Sequence, residues 1–361
     1  ANAGLRAILM EEAAISSHAA IVARALGIPT LGGIEGLTTR IDQGDWVIVD
    51  AEKGTLHIRP DDSLYDAYKG RVALRSERQA TYAALRGLPA KTRDGTHVSL
   101  YLNAGLDLDL EMLDQAGADG VGLFRTEFQF LVSETLPRLG DQVALYRRVL
   151  DRAAGKGLFR RQLRALVRAA GTDPLTVMFP MVTVPSEFFD ARDLLMKEVA
   201  WSEERTGKRP SKLEVGVMLE TPALAFSLSE LAGEVDFLSV GTNDLMQFFF
   251  AADRMTPSVS DRYDLVSPAG MRFLKQVSED CTTHSIRMSA CGEATASPLS
   301  ALCFLALGFH ALSMPAAAIG PVKRMVRSVD LAAFRDDFLK VLDRPNAAFR
   351  NQVLALAADH G

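Results

Sequence analysis

The sequence predicts an α/β protein in which a barrel of parallel strands, with helices outside, follows a smaller β/α piece. Three observations support this fold class. After Pro89, short apolar stretches alternate with helix-like or loop segments, and polar residues stand where several of these stretches end. With 361 residues, 48% of them hydrophobic and 24% charged, the chain has enough apolar material for a large core and two domains.

The first 60 residues predict a compact α/β piece. LRAILM is expected as a short strand, His18 to Leu26 as a helix, and GDWVIVDAEKGTLHIRP as two strands joined by a turn at Glu52 to Gly54. From Pro60 to about Leu88, polar residues with scattered leucines and tyrosines predict a connecting helix. We therefore divide the chain into residues 1–60, a helical linker over 61–90, and a barrel over 91–361.

The barrel region contains seven candidate strands of nearly continuous apolar character, as expected for parallel strands buried on both faces. A closed (β/α)8 TIM-type barrel needs eight. The sequence therefore predicts that one strand is missing between Lys156 and Gly157, where one helix is expected to end and another to begin. The seven stretches are THVSLYLN, GVGLFR, LTVMFPMV, EVGVMLE, DFLSVGTND, IRMSACGE and HALSMP.

Polar residues stand at the ends of four of these strands. Arg125 ends GVGLFR, Glu220 ends GVMLE, Asn243 and Asp244 end FLSVGTND, and Cys291 lies near the end of IRMSACGE. In such barrels the carboxyl ends of the strands form the active face. The sequence thus predicts that these side chains point into one bowl.

The residue types indicate an anionic ligand and a hard cation. Glu220 and Asp244 supply carboxylate oxygens suited to Mg2+, although both could instead cap their own loops. Arg125 carries a planar donor fork for phosphate or carboxylate oxygens, and its alternative is an ordinary ion pair. Arg254, ten residues after Asp244, adds a second cation and favours the anion interpretation.

The three cysteines differ in setting. A cysteine in an apolar strand is usually a small buried hydrophobe. Cys291, however, is followed by glycine at a strand end, where a backbone can approach a ligand and the thiol could act as general acid. Cys281 and Cys303 lack that setting and are predicted to pack in the core.

His18 stands between serines and an apolar run with helical spacing, in SSHAAIVARALGIPT. Ser16 or Ser17 can cap the helix, whose amino terminus favours a phosphate dianion. Imidazole is a good nucleophile near neutral pH, so His18 is either a phosphoryl acceptor or a histidine of a capping loop without chemistry.

Composition argues against several classes of protein. With 40 basic and 45 acidic residues, the net charge is −5, and no basic stripe with interleaved aromatics predicts nucleic-acid binding. No apolar run reaches the roughly 20 residues that span a bilayer, and no signal peptide is expected. Three cysteines without metal-ligand spacing favour a reducing compartment, the cytoplasm.

Taken together, these motifs resemble the phosphoenolpyruvate (PEP)-utilising enzymes. SSHAAIVARALGIPT resembles their phosphohistidine motif, and the later stretches resemble their barrel motifs in the same order. Within the family, the chain is most similar to phosphoenolpyruvate-protein phosphotransferase, enzyme I of the bacterial phosphotransferase system, especially its nitrogen-related branch. The barrel stretches are GADGVGLFRTEFQF, GVMLETPA, FLSVGTNDLMQFFFAADR, ACGE and LGFHALSMPAAAIGPVK.

The resemblance implies a swivelling phosphohistidine domain before a PEP-binding barrel. It implies Mg2+ on Glu220 and Asp244, with Arg125, Asn243 and Arg254 holding the phosphate. His18 would accept the phosphoryl group and pass it to a small HPr-like histidine phosphocarrier protein, while Cys291 gives a proton to the departing enolate to form pyruvate. A homodimer through the barrel is also implied.

Departures from the family pattern leave alternatives open. Ala13 and Ala14 stand where the family usually has two glycines before the phosphohistidine, and Ala296 replaces the usual glycine of the family's CGE-x-A-G stretch. The family's third barrel strand, which carries an arginine and a lysine, has no counterpart here. Either residues between Lys156 and Gly157 are left out of the sequence, or the chain lacks the strand. The alternatives are an enzyme like pyruvate phosphate dikinase or PEP synthase, which needs an ATP-binding domain, and a PEP-binding regulator without turnover.

Overall fold

The computed structural model describes residues 4–11, 23, 28–51, 53–104, 107–124, 154–252, 264–344 and 348–361. Two compact units are distinguished. The first contains the described residues of Ala1–Leu88 and Ala104–Ala118, with Phe124. The second contains those of Pro89–Asn103, Asp119–Leu123 and Pro137–Gly361.

The first unit begins with two short parallel strands and continues into an antiparallel hairpin and a long helix. The predicted hairpin around residue 52 is present, with Val47 opposite Ile58. The predicted strand in LRAILM is reduced to two residues, while nearly all of the helix expected from His18 lies outside the described residues. The elements are β1 Ile8–Leu9, β2 Thr30–Leu31, α1 Leu37–Arg40, β3 Val47–Asp50, β4 Thr55–Ile58, α2 Asp62–Ala84 and α3 Asp107–Ala116.

Helix α2 is anchored to the hairpin at its first turns. Asp61 caps it by accepting a hydrogen bond from the Leu64 N–H at 2.8 Å. Asp50, the last residue of β3, accepts from the Tyr68 hydroxyl at 3.0 Å and from Arg71 at 2.9 Å. The boundaries assigned to the linker from the sequence, 61 and 90, remain a prediction.

The second unit is built on seven parallel strands in one curled sheet, in the order β6-β5-β11-β10-β9-β8-β7. Each of the seven predicted stretches forms one strand, which confirms the α/β fold class. Among the described residues, β6 and β7 are the two edge strands. The strands are β5 Ser99–Ala104, β6 Gly120–Phe124, β7 Leu175–Phe179, β8 Leu213–Leu219, β9 Phe237–Gly241, β10 Arg287–Cys291 and β11 Ala311–Met314.

Helices pack on the outside of this sheet. Their buried side chains, among them Phe188, Leu195, Phe304 and Phe334, form the core between helices and strands. None of the described helices has the length and apolarity needed to cross a membrane. They are α4 Ala154–Ala170, α5 Pro185–Thr206, α6 Thr242–Phe250, α7 Pro268–Thr283, α8 Pro298–Ala306, α9 Ala316–Ser328, α10 Leu331–Asp343 and α11 Phe349–His360.

One sequence expectation is wrong at Lys156–Gly157, where a helix was expected to end and another to begin. Helix α4 runs through both residues without interruption. Its apolar side chains recur four residues apart, at Phe159, Leu163 and Val167, and the last two are buried. This packing outweighs the cost of Gly157 in a helix, about 1 kcal/mol.

Candidate functional site

Of the site residues predicted from the sequence, four lie in the described part of the second unit: Glu220, Asn243, Asp244 and Cys291. The other three lie outside the described residues, and they are His18, Arg125 and Arg254. The site is therefore built here from β8, β9 and β10, which are neighbours in the sheet. Because these strands are parallel, their carboxyl ends meet at one edge.

Asn243 and Asp244 belong to a different element from the one that the sequence predicts. Strand β9 ends at Gly241, and Asn243 and Asp244 belong to the first turn of α6 instead of the strand end. The reason is local: Gly241 leaves the strand conformation with a ψ of 84°, and the helix begins at Thr242. Asp244 is thus an acidic residue in the first turn of α6.

Glu220 follows β8 directly and its side chain is buried against the neighbouring strand end. Its Oε2 accepts a hydrogen bond from the backbone N–H of Met181 at 2.8 Å. A Cβ at Gly241 would come within 2.6 Å of the Glu220 Cγ, so only glycine fits on β9 beside this carboxylate. The carboxylate is consequently held between the ends of β7 and β9.

Asn243 ties α6 to the loop after β10. Its Oδ1 accepts a hydrogen bond from the Glu293 N–H at 3.0 Å, and the Thr242 hydroxyl donates to the Cys291 carbonyl oxygen at 3.0 Å. Gly292 makes this approach possible, with a φ of 117° and no side chain to strike Thr242. This bond uses the carbonyl oxygen of the Asn243 amide, whose NH2 group is the hydrogen-bond donor of the side chain.

Glu220 and Asp244 are the carboxylates that fit a divalent cation. No group of three or more His, Cys, Asp and Glu side chains capable of holding a metal occurs among the described residues. Two carboxylates are what Mg2+ commonly takes from a protein when water and substrate phosphate supply the remaining ligands. The donor set therefore fits Mg2+ bound together with a phosphorylated ligand.

Cys291 ends β10 with its side chain inside the sheet, 3% exposed. The Ser239 hydroxyl on β9 donates to its sulfur at 3.6 Å. Leu123 and Met218 pack with it, and Met178 lies against this cluster. The thiol thus has the Ser239 hydroxyl of the adjacent strand and a cluster of apolar side chains among its neighbours.

The other two cysteines are buried, as predicted. Burial raises the pKa of the Cys281 thiol to about 12, and of the Cys303 thiol to about 12 as well. Neither thiol is ionised near neutral pH, so both are packing residues.

Ser239, Met218 and Thr242 were not predicted from the sequence as part of the site. Strand alternation carried a signal for two of them, because Met218 shares a face with Glu220, and Ser239 shares one with Gly241. The alternation of side chains along one strand does not predict which residue of the neighbouring strand lies beside each of them. That pairing depends on the register, which places Met218 beside Ser239 and Cys291 beside Gly241.

Two family models match the chain. The model described as PEP-utilising enzyme, mobile domain, matches residues 2–54. The model described as PEP-utilising enzyme, PEP-binding domain, matches in two pieces, residues 79–161 and 152–331, which meet in the first part of α4.

Curated relatives match most of the chain. The phosphoenolpyruvate-protein phosphotransferase of Staphylococcus carnosus (strain TM300) is 32% identical over 361 aligned positions, covering 89% of this chain and 63% of the relative. A protein of Escherichia coli (strain K12) named phosphoenolpyruvate-dependent phosphotransferase system is 32% identical, covering 98% of this chain and 53% of the relative. The chain thus spans less than two thirds of the length of these relatives, and equal identity to both assigns it to no branch.

The first of these alignments is longer than the matched part of the chain. It runs over 361 positions, but 89% of a chain of 361 residues is only about 321, so about 40 positions of the relative face no residue here.

Among solved structures, a citrate lyase from Burkholderia xenovorans LB400 matches 73% of this chain and 86% of its own, with a TM-score of 0.43 and 18% identity.

Proposed function

Because the chain belongs to the family of PEP-utilising enzymes, we propose that it transfers the phosphoryl group of PEP to His18 and then to a small histidine phosphocarrier protein, releasing pyruvate. The matches to both a mobile domain and a PEP-binding domain support this proposal. So does the name of the relatives, phosphoenolpyruvate-protein phosphotransferase. The single observation that carries it is that Glu220, Asn243 and Cys291 lie at, or directly after, the carboxyl ends of the neighbouring strands β8, β9 and β10.

In this proposal the polar residues bind the phosphate. The NH2 end of Asn243 donates to a phosphate oxygen, and Arg125 and Arg254 supply the cationic forks. Glu220 and Asp244 hold Mg2+, which when bound neutralises charge on the phosphate oxygens. His18 attacks phosphorus through an imidazole nitrogen, which requires the neutral ring.

Cys291 is proposed as the acid that completes the reaction. Breaking the P–O bond of PEP leaves the enolate of pyruvate, which needs a proton at C3. The S–H bond of Cys291 breaks, the enolate's electron pair forms the new C–H bond, and the thiolate recovers a proton from solvent. Its position at the end of β10, beside the loop held by Asn243, supports this role.

We also propose a cytoplasmic homodimer. Four large apolar side chains in the segments that follow β7, β8 and β9 are exposed, and exposed apolar surface is typical of an interface. They are Met181, Val184, Phe226 and Phe248, with Phe226 at 72% exposure.

The thiols of Cys281 and Cys303, which form no disulfide, favour a reducing compartment.

A second candidate function is a PEP-binding regulator without turnover. It is favoured by the two-piece family match and by the roughly 40 positions of a relative that face no residue of this chain. The two pieces of the family match overlap at residues 152–161, around Lys156, which supports the absence of a segment where the family's third barrel strand is expected. Without that strand and its arginine, a barrel could bind PEP yet stabilise the transferring phosphoryl group poorly.

The test is the intact mass of the protein at neutral pH, before and after incubation with PEP and Mg2+. Neutral pH is required because phosphohistidine is lost in acid. A gain of one phosphoryl group that disappears in His18→Ala supports the phosphotransferase. Binding of PEP by calorimetry without any gain in mass supports the regulator, and a gain retained in His18→Ala would remove His18 from its role.

A further inference from the structure

The apolar wall around Cys291 is the feature from which a further inference can be drawn. Leu123, Met218 and Cys291 are each less than 9% exposed and form one cluster, with Met178 packed against it. All four residues stand at or near the carboxyl ends of their strands, on β6, β7, β8 and β10. The cluster therefore lies at the end of the sheet where the polar residues of the site stand.

Met218 occupies the centre of this arrangement. It lies two residues before Glu220 on β8, so both side chains lie on the same face of the strand. Its neighbour in register on β9 is Ser239, which donates to the Cys291 sulfur. The Met218 Sδ comes within 3.0 Å of the position that a Cβ of Gly241 would take. Its side chain thus lies close to the Glu220 side chain at Gly241 and packs in one cluster with Cys291.

The chemistry of PEP indicates what such a wall is for. The phosphate and carboxylate of PEP carry charge and need cations or N–H donors, which the wall does not provide. The C3 methylene is the apolar part of the molecule, and it is also the atom that must receive the proton. A wall of thioethers and a leucine beside the proposed acid fits that methylene and no other part of PEP.

We propose that Leu123, Met178 and Met218 form a methylene pocket that restricts the substrate to an unsubstituted C3 and keeps water from the enolate beside Cys291. This inference rests on the proposed function, because it assumes that PEP binds at this site. The pocket acts by shape: a buried wall of side chains leaves little room for an added methyl group. Excluding water also leaves the Cys291 thiol as the proton source at C3.

The test compares PEP with (Z)-2-phosphoenolbutyrate, which carries one methyl group on C3. One methyl or methylene group changes selectivity by about 10–200-fold in an apolar pocket. Met218→Ala is therefore expected to lower the preference for PEP, measured as the ratio of the two kcat/KM values, by about tenfold or more. Leu123→Val is a milder second variant, expected to shift the ratio in the same direction.

The matched control is Met288→Ala on β10. Met288 lies three residues before Cys291 and therefore on the opposite face, where its methyl group approaches Gly308. This variant removes the same side chain from a strand of the same sheet. The ratio is expected to stay within about twofold of the wild-type value, whatever the change in stability.

The outcomes separate the pocket from the proposed function. If the wild type turns over PEP and neither Met218→Ala nor Leu123→Val shifts the ratio, the pocket is wrong and the proposed function stands. If the wild type binds PEP without turnover, the ratio of the two dissociation constants by calorimetry replaces kcat/KM, with the same expected shift. If the wild type neither binds nor turns over PEP, the proposed function is overturned and the pocket with it.

Discussion

The carboxylate of Glu220 accepts a hydrogen bond from the backbone N–H of Met181 at 2.8 Å. Met181 has a φ of 55°, an uncommon conformation for a residue with a side chain, and its side chain is about half exposed. Residues in such a conformation persist where their surroundings hold them. The bond thus fixes the turn after β7 and the direction of the carboxylate that we propose as a ligand of Mg2+.

The first prediction tests whether the negative charge of Glu220, apart from the shape of its side chain, is needed to bind Mg2+. Glu220→Gln keeps a carbonyl oxygen that can accept from Met181, but it removes one of two anionic ligands. We expect the Mg2+ concentration for half-maximal PEP binding or phosphorylation to rise about tenfold or more, because loss of an interacting group at a metal site commonly costs 10–100-fold in affinity. The measurement is a Mg2+ titration of either signal.

Glu214→Gln on the same strand is the matched control. Glu214 stands at the start of β8, where Lys212 and Arg287 pair with it, at the opposite end from the site. This variant is expected to change stability by less than about 1 kcal/mol, because the two cations that pair with Glu214 are largely exposed to solvent, and to leave the Mg2+ titration unchanged. Equal shifts in both variants would remove Glu220 from the metal site.

The second prediction concerns the backbone at Gly292. An alanine there would have a φ of 117° and a Cβ that meets Thr242 and Asn243. We expect Gly292→Ala to lower the free energy of unfolding by about 1–3 kcal/mol and to weaken PEP binding, since the loop tied to Asn243 must shift. Urea unfolding and calorimetry with PEP measure the two effects.

Gly70→Ala gives the contrasting result. Gly70 lies inside helix α2 with open space where a Cβ would be added. Alanine favours the helix by about 0.5–1 kcal/mol relative to glycine, so this variant should be neutral or slightly more stable, with unchanged ligand binding. Similar destabilisation by both substitutions would contradict the account of Gly292.

The sequence predicted the strands well because parallel strands covered on both faces are nearly continuous in apolar residues, as in GVMLE. It placed Glu220 directly after β8 and Cys291 at the end of β10 for the same reason. It placed Asn243 and Asp244 at the end of β9, whereas the helix begins at Thr242, because an apolar run does not mark where the backbone turns. The Ser239–Cys291 contact and the buried Glu198 depend on pairing between distant segments, which local pattern does not contain.

The third prediction concerns the reactivity of the two packing cysteines. Burial raises the pKa of Cys281 and Cys303 to about 12, and the thiolate is the reactive form. We expect iodoacetamide at pH 8 to leave both unmodified in the native protein and to modify all three cysteines after unfolding. Peptide mass spectrometry identifies the modified residues, and rapid native labelling of Cys281 or Cys303 would show that the core between α7 and α8 opens readily.

The last prediction concerns a buried carboxylate that holds two helices of the second unit together. Glu198 on α5 has a fully buried side chain and accepts hydrogen bonds from Arg160 and Arg164 of α4, the latter at 2.6 Å. Burial opposes ionisation of Glu198, but the hydrogen bonds from Arg164 and Arg160 outweigh it and lower its pKa. Replacing it by glutamine removes the charge that both guanidinium groups face.

We expect Glu198→Gln to lower the free energy of unfolding by about 1.5–3 kcal/mol at pH 7, the range for hydrogen bonds to charged groups. A carboxyl whose pKa is lowered by folding contributes stability above its unfolded-state pKa, about 4.3, and loses it as pH falls through the folded-state pKa. The difference between wild type and variant should therefore be constant from about pH 6 upward and shrink below about pH 4. Urea unfolding across this range measures it.

Glu234→Gln is the control for the same substitution at an exposed pair. Glu234 meets Arg192 at 2.5 Å, but about half of its side chain is exposed, so solvent screens the interaction. The expected loss is less than about 1 kcal/mol. If Glu198→Gln cost no more than this control, or if its cost persisted unchanged at pH 3, the charge of Glu198 would not be what joins α4 to α5. The loss would then come from the shape of the side chain, and Glu198→Gln would behave as an ordinary packing variant at every pH.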